Sequence, residues 1–306
     1  MKLSIVTTLF HSEKFIVDFT ERLLKFIPNE FLEVEIVFVN DGSPDNSSSI
    51  VIDLQKNKPF IKLIELSRNF GHHYAILAGL NEASGDYVFL IDVDLEEDPQ
   101  YLIPLWEKII ISNYEVDCCY GVQKARKGSW KEKYLGLIFY KFISLIGDIE
   151  YPSDTLTARV MSKRYVESLI QFKEKNIDLW GVFAMNGFKQ DFIYLNKLSK
   201  GTTTYSFKKK IKMSFDIITS ISSKPLVYIF YIGLFLFFTS FCYILYVLYK
   251  YISNDMTDAI GWSSVIASIW FLGSLIILFL GTLSIYISRI FIEVKNRPNY
   301  IIKKNN

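Results

Sequence analysis

The chain has 306 residues, a formal net charge of +2 and 50% hydrophobic residues, with a mean hydropathy of +0.22. That length holds one full-sized domain plus an appendage, and the hydropathy is high for a soluble protein. Three cysteines, two adjacent (Cys118, Cys119) and one in an apolar run (Cys242), exclude a disulfide framework. No nucleic-acid partner is expected.

Met1-Lys2 leads straight into Leu3-Ser4-Ile5-Val6, so no leader peptide is expected at the start. The first 125 residues alternate β-rich apolar runs with helical patterns. Strands are predicted at Leu3–Thr8, Glu33–Asn40, Ile61–Ser67, Tyr87–Asp92 and Val116–Val122. Helices are predicted between them, at about Glu13–Phe26, Ser47–Asn57, His73–Ala83 and Tyr101–Ser112. Such alternation predicts a mainly parallel sheet with helices on both faces, whose ligands bind beyond the C-terminal strand ends. Lys124 to Lys133 reads as a basic loop, and the weakly charged segment Tyr134 to Ile146 fits either a helix lying on a membrane surface or a core helix.

The hydrophobic excess lies in the C-terminal third. Leu226 to Tyr249 is a run of 24 uncharged residues and Ala259 to Ser288 a run of 30. As a helix the first would be roughly 36 Å long, against a hydrocarbon core of about 30 Å. Two transmembrane helices are therefore predicted, at 226–249 and 262–288. Lys208, Lys209, Lys210, Lys212 and Lys224 precede the first; Arg289, Lys295, Arg297, Lys303 and Lys304 follow the second; Asp255 and Asp258 lie between. The positive-inside rule then places the N-terminal domain and both termini in the cytoplasm. The predicted organisation is a catalytic domain at 1–204, a basic juxtamembrane segment at 205–224, a two-helix hairpin at 225–290 and a cytoplasmic tail at 291–306.

Asp92-Val93-Asp94 carries the strongest chemical signal. Two carboxylates one residue apart at a strand end suit a hard divalent cation, Mg²⁺ or Mn²⁺, that completes its shell with substrate phosphates. Asn40-Asp41-Gly42-Ser43 follows the second strand and fits either recognition of a base or ribose or an ordinary turn. After the third strand, Ser67-Arg68-Asn69-Phe70-Gly71-His72-His73 offers a guanidinium for a phosphate and two imidazoles able to donate hydrogen bonds. A parallel sheet would gather Asp41, Arg68, Asp92 and Asp94 at one edge.

Val39-Asn40-Asp41-Gly42-Ser43-Pro44-Asp45, Leu66 to Gly71, Ala78-Gly79-Leu80, Ala83 to Asp86 and Asp92 to Leu95 resemble the family 2 glycosyltransferases, in the branch of dolichol-phosphate mannose synthases and bacterial polyprenyl-phosphate glycosyltransferases. The resemblance continues through Gly121-Val122 with Arg126, Arg159 to Ser162, Gly187-Phe188, Ser222 to Leu226 and Glu293 to Pro298. It implies an α/β GT-A fold and inverting transfer of one hexose from a nucleoside-diphosphate sugar, with UDP-glucose or another UDP-hexose favoured. The implied acceptor is polyprenyl (undecaprenyl) phosphate at the cytoplasmic face of the bacterial inner membrane, giving a lipid-linked sugar for cell-surface glycan modification. By position, Thr8, Phe10, Glu13, Asp41, Ser43, Arg68, Gly71, Asp92 and Val93 would line the nucleotide-sugar site, with Asp41 at the base. Asp92 and Asp94 would hold Mg²⁺ or Mn²⁺ on the diphosphate. Arg126, Arg159, Thr203 and Lys208 would face the lipid phosphate, the two arginines together with the Asp pair forming the catalytic set. Relatives oligomerise through the membrane helices, so a homo-oligomer is expected, a tetramer favoured, and Gly233, Gly273 and Gly281 permit close helix contacts.

Three departures stand out. Thr8-Leu9-Phe10-His11-Ser12-Glu13 replaces the usual Pro-x-Tyr-Asn-Glu, and Glu96 replaces a Gln. Thr157, in Asp154-Thr155-Leu156-Thr157-Ala158-Arg159, stands where relatives often carry an Asp considered a catalytic base. A phosphate monoester has a second pKa of about 6 and is already largely anionic near neutral pH, so it needs positioning more than deprotonation. Two other readings compete: a catalytically silent nucleotide-sugar-binding membrane partner, and a processive polysaccharide synthase, whose usual Gln-x-x-Arg-Trp motif is absent from the sequence.

Overall fold

In the parallel part of the sheet, near-continuous apolar runs become strands buried on both faces. The computed structural model describes residues 1–124, 155–175, 178–196, 224–252 and 262–303. The elements are β1 (Lys2–Leu9), α1 (Ile16–Lys25), β2 (Glu33–Asn40), α2 (Ser47–Asn57), β3 (Ile61–Glu65), α3 (His72–Glu82), β4 (Tyr87–Leu90) and, after a 3₁₀ turn at Pro99–Tyr101, α4 (Leu102–Ile111). There follow β5 (Cys118–Gln123), β6 (Thr155–Ser162), α5 (Lys163–Leu169), α6 (Leu179–Met185), β7 (Gln190–Leu195), α7 (Lys224–Ile252) and α8 (Trp262–Val294). Arg126, Thr203 and Lys208 lie outside the described residues, as do the basic loop beyond Lys124, the segment Tyr134 to Ile146 and the juxtamembrane stretch before Lys224.

Among the described residues the sheet has seven strands in the order β3-β2-β1-β4-β6-β5-β7. β1 pairs in parallel with β2 and β4, and β2 with β3. β6 runs antiparallel to both of its neighbours, β4 and β5, and β7 is parallel to β5. This reversal brings the start of β6 to the edge where β1 to β4 end, because Leu90 at the end of β4 is paired with Arg159. One core cluster joins Ile5, Phe38 and Phe89 of the sheet to Phe19 of α1 and Trp106 of α4. The other joins Val6, Val39 and Val88 to Ile76 of α3 and Tyr165 of α5. Cys118 and Cys119 are buried in β5, where desolvation pushes their thiols up to about 11 and about 12. They are core residues, not nucleophiles.

The described residues form two compact units, one holding β1 to β7 with α1 to α6 and the chain from Arg297 onward, the other holding α7 and α8. The tail predicted as a separate 291–306 segment thus belongs from Arg297 to the first unit. There Ile302 bridges Leu66, the Ser67 N–H donates to the Ile301 carbonyl at 2.9 Å and the Lys303 N–H to the Glu65 carbonyl at 2.7 Å. Within the second unit the two helices touch, with the Phe279 ring 3.8 Å from where a Cβ on Gly233 would stand. Phe271–Val294 is long and apolar enough to cross a membrane, with a hydropathy of 2.2. In α7 the qualifying apolar stretch among the described residues, Leu226–Leu236, is shorter.

Helix α3 lies close on the sheet because of Gly79, where a Cβ would come within 2.5 Å of Val6 Cγ1 and 2.9 Å of Val39 Cγ2. Gly79→Ala gains about 1 kcal/mol of helix propensity but loses about 1–3 kcal/mol to overpacking between two stiff β-branched neighbours. The expected outcome is a lowered unfolding midpoint; a raised one would show that Val6 and Val39 can give way.

Candidate active site

Four loops and one strand start converge beyond the C-terminal ends of β1 to β4. The loops after β1 and β2 are stitched by polar side chains. The His11 N–H donates to Ser43 Oγ (2.8 Å), and Ser43 in turn donates to Asp45 Oδ1 (2.6 Å). The Glu13 N–H donates to Asp45 Oδ2 (3.1 Å), and the Asn46 N–H donates back to Glu13 Oε2 (3.1 Å). His11 takes a positive φ of 54° to make this turn. Burial alone would raise the Asp45 carboxyl, but hydrogen bonds from Ser43, Ser47 and the Glu13 backbone hold it at about 2. Ser43 and Glu13 therefore shape the loops, and the 48% exposed ring of Phe10 is left facing outward.

Asp41 is 3% exposed and accepts the N–H groups of Phe70 (2.7 Å) and Gly71 (2.9 Å), one on each carboxylate oxygen. The loop after β2 and the entry to α3 are thereby clamped together. Contact is so close at Gly42 (φ +63°) that a Cβ would stand 2.5 Å from the Asn69 backbone nitrogen. Arg68 is exposed, stacks 4.1 Å above the Phe70 ring centroid and donates to the Asn69 carbonyl (3.0 Å).

β4 ends at Leu90, two residues short of the predicted end at Asp92, so Asp92 and Asp94 both sit in the following loop. Val93 between them is 3% exposed and packs into the core, so that its side chain anchors the loop while the two carboxylates are held off the core. Asp94 Oδ1 accepts the Glu96 N–H (3.0 Å), and Leu95 takes a φ of +60°. Thr157 donates to Asp92 Oδ2 (2.8 Å) from the start of β6. On the other side, His72 Nε2 stands 3.6 Å from Asp92 Oδ1 while its Nδ1 lies 3.1 Å from Thr8 Oγ1. Glu97, 1% exposed, accepts the N–H groups of Thr157 (3.0 Å) and Ala158 (2.6 Å).

The structure thus brings Thr8, Asp92, Thr157 and His72 together, and clusters Glu13, Ser43, Asp41 and Gly71 beside them. Arg159, expected to face the lipid phosphate, is enclosed between β6 and the aromatic rings of α6. It is 2% exposed, donates to the carbonyls of Thr157 (3.2 Å) and Leu156 (3.0 Å), and lies 3.7 Å from the Phe183 ring centroid and 4.6 Å from that of Trp180. Burial lowers its guanidinium pKa from the ordinary value. Its bonds hold the strand that presents Thr157. His72, Glu97 and Asp45 carry more of the architecture than their sequence context shows, since Glu97 reads there as one of a run of solvated acids.

Among the described residues no group of three or more His, Cys, Asp or Glu could hold a metal by itself. Two carboxylates from one loop are nonetheless the donor set of an ion that shares its shell with phosphate oxygens, as Mg²⁺ does. The residues fit an ion arriving with a diphosphate, not a resident metal cage.

The fold is a mainly parallel sheet with one antiparallel strand and acidic loops gathered at one edge. The profile of Glycosyl transferase family 2 matches residues 4–170, and the chain belongs to that family. The fold is accordingly the GT-A fold and the activity class glycosyl transfer. A putative glycosyltransferase of Mycobacterium tuberculosis is 42% identical over 304 residues, covering 99% of this chain and 88% of the relative. The uncharacterized glycosyltransferase YkcC of Bacillus subtilis is 36% identical over 306 residues, covering 99% and 93%. The bactoprenol glucosyl transferase of Shigella phage SfII is 33% identical over 315 residues, covering 100% and 98%.

Glu97→Gln keeps one acceptor but points an amide N–H₂ at a backbone N–H, leaving a buried donor unsatisfied at a cost of about 1–3 kcal/mol. Lower unfolding stability together with reduced transfer is expected; unchanged stability would show that the start of β6 is held by other contacts.

Proposed function

We propose that the protein transfers a single hexose from a nucleoside-diphosphate sugar, with a UDP-hexose such as UDP-glucose favoured, to a polyprenyl phosphate, with inversion. The observation that carries this reading is the Asp92–Thr157 hydrogen bond within a family 2 fold whose full-length relatives include bactoprenol glucosyl transferases. It orients Asp92 although the carboxylate that relatives often carry at the Thr157 position is missing. In this reading Asp92 and Asp94 hold Mg²⁺ or Mn²⁺, which would neutralise charge on the departing diphosphate. Phe10 stacks on the base, and Asp41 orders the loops around it. Arg68 and Arg126 bring the two anions together, and Thr203 and Lys208 take the lipid side. The acceptor phosphate, with a second pKa of about 6, attacks the anomeric carbon as an anion already formed near neutral pH. The carbon–oxygen bond to the diphosphate breaks as the new one forms, and the nucleoside diphosphate leaves with that electron pair.

The same reading places the catalytic unit and both termini on the cytoplasmic side of the bacterial inner membrane. The backbone bonds from Ile301 and Lys303 to the end of β3 support it, because they require the chain to return to the catalytic side after α8. Assembly into a homo-oligomer, a tetramer favoured, belongs to the reading as well; a Cβ at Gly273 or Gly281 would meet nothing within 4 Å among the described residues.

Membranes carrying the protein, supplied with undecaprenyl phosphate, Mn²⁺ and a panel of nucleotide sugars, should form one lipid-linked monosaccharide. Asp94→Ala should abolish it. Thr157→Ala removes a hydrogen bond to a charged group, about 1.5 kcal/mol or roughly a tenfold loss of rate. A Thr157→Ala enzyme as inactive as Asp94→Ala would sink the idea that the acceptor needs no protein base.

A further inference from the structure

We propose that His72 is a positioning residue that sets the carboxylate plane of Asp92; the inference rests on the assignment of Asp92 as a metal ligand. His72 is the first residue of α3 and has little freedom of backbone, since Gly71 before it takes a φ of 106° and its N–H is held by Asp41. Its ring spans the gap between β1 and the β4 loop, with Nδ1 3.1 Å from Thr8 Oγ1 and Nε2 3.6 Å from Asp92 Oδ1. The neighbours select the tautomer. With the Thr8 hydroxyl donating to Nδ1, the ring hydrogen sits on Nε2 and faces the carboxylate; the opposite tautomer would turn a lone pair toward an anion. Thr157 holds the other oxygen at 2.8 Å. Asp92 is therefore addressed from both sides, Oδ1 from α3 and Oδ2 from β6.

Partners of this kind orient metal-binding carboxylates, and their loss weakens metal affinity by about 10–100-fold. The geometry assigns that work to the distal nitrogen of His72, which separates two conservative variants. In His72→Gln the side-chain amide reaches about as far as Nε2 and restores a donor toward Asp92. In His72→Asn it reaches only as far as Nδ1, so that the Thr8 contact survives and the Asp92 contact is lost.

The test is Mn²⁺ affinity of the detergent-solubilised full chain in the presence of UDP, read by electron paramagnetic resonance of free Mn²⁺, with UDP affinity measured in parallel in metal-free buffer. His72→Ala and His72→Asn should weaken Mn²⁺ binding about tenfold while metal-free UDP binding stays at the parent value, and His72→Gln should recover most of the loss. Asn binding as tightly as Gln, or an equal loss of UDP affinity without metal, would overturn the inference, the latter by making His72 a direct nucleotide contact. Asp94→Ala separates the two levels. If it loses Mn²⁺ while His72→Ala keeps it, the His72 inference alone falls; if Asp94→Ala still binds Mn²⁺ like the parent, the metal assignment fails and takes the inference with it.

Discussion

The Asp41 carboxylate is the contact from which the active edge is built. One oxygen takes the Phe70 N–H and the other the Gly71 N–H, so a single side chain at the end of β2 fixes where α3 begins. A carboxylate accepting two backbone donors is strong and directional, and burial leaves it few competing partners. Everything downstream inherits its placement: the Arg68 loop packs against Gly42, His72 starts α3 beside Thr8, and the ring of His72 reaches Asp92. One residue thus joins the loop after β2 to the start of α3, and through α3 to the loop that carries Asp92.

A cluster of acids at one sheet edge is costly unless each charge is met. Asp45 is met by two serines and the backbone of Glu13, Glu97 by two backbone N–H groups at the start of β6, and Asp94 by the Glu96 N–H within its own turn. Asp92 differs, because its closest partner is the neutral hydroxyl of Thr157. An Asp at position 157 would place a second anion against Asp92, and like charges that close cannot both remain ionised at low cost. Threonine brings no such repulsion and donates a hydrogen bond that fixes one oxygen of Asp92. Arg159 serves the same end from below, tying the carbonyls of Leu156 and Thr157 so that the hydroxyl stays in register.

Much of this was legible in the sequence where the signal is local. The strands β1, β2 and β3 and helices α1 to α4 follow apolar periodicity, with Glu33–Asn40 and Ser47–Asn57 read to the residue. The failures are non-local. β6 carries an arginine in a strand buried along most of its length, a pattern that period-2 reasoning rejects; the aromatic rings of Phe183 and Trp180 that accommodate it come from α6, more than twenty positions along the chain. Glu97 looks like a surface acid because its two donors lie on a strand some sixty residues away. His72 was visible as a possible donor, but the choice of Asp92 as its target depends on the β1-β4 adjacency that only the sheet order supplies.

The C-terminal tail constrains the path of the chain around α7 and α8 in a way neither their length nor their hydropathy does. Hydropathy among the described residues favours α8 over α7 as a crossing segment. Yet Ser67 and Lys303 donate to Ile301 and Glu65 through direct backbone bonds, so the sheet and the chain from Arg297 onward share one compact unit. Such bonds cannot form across a hydrocarbon layer about 30 Å thick. If α8 crosses, the chain between the end of β7 and Arg297 must cross an even number of times. At 29 residues α7 is about 43 Å long, enough to span. The strand-edge bonds hold the residues from Ile301 to Lys303 beside those that lead into the Arg68 loop.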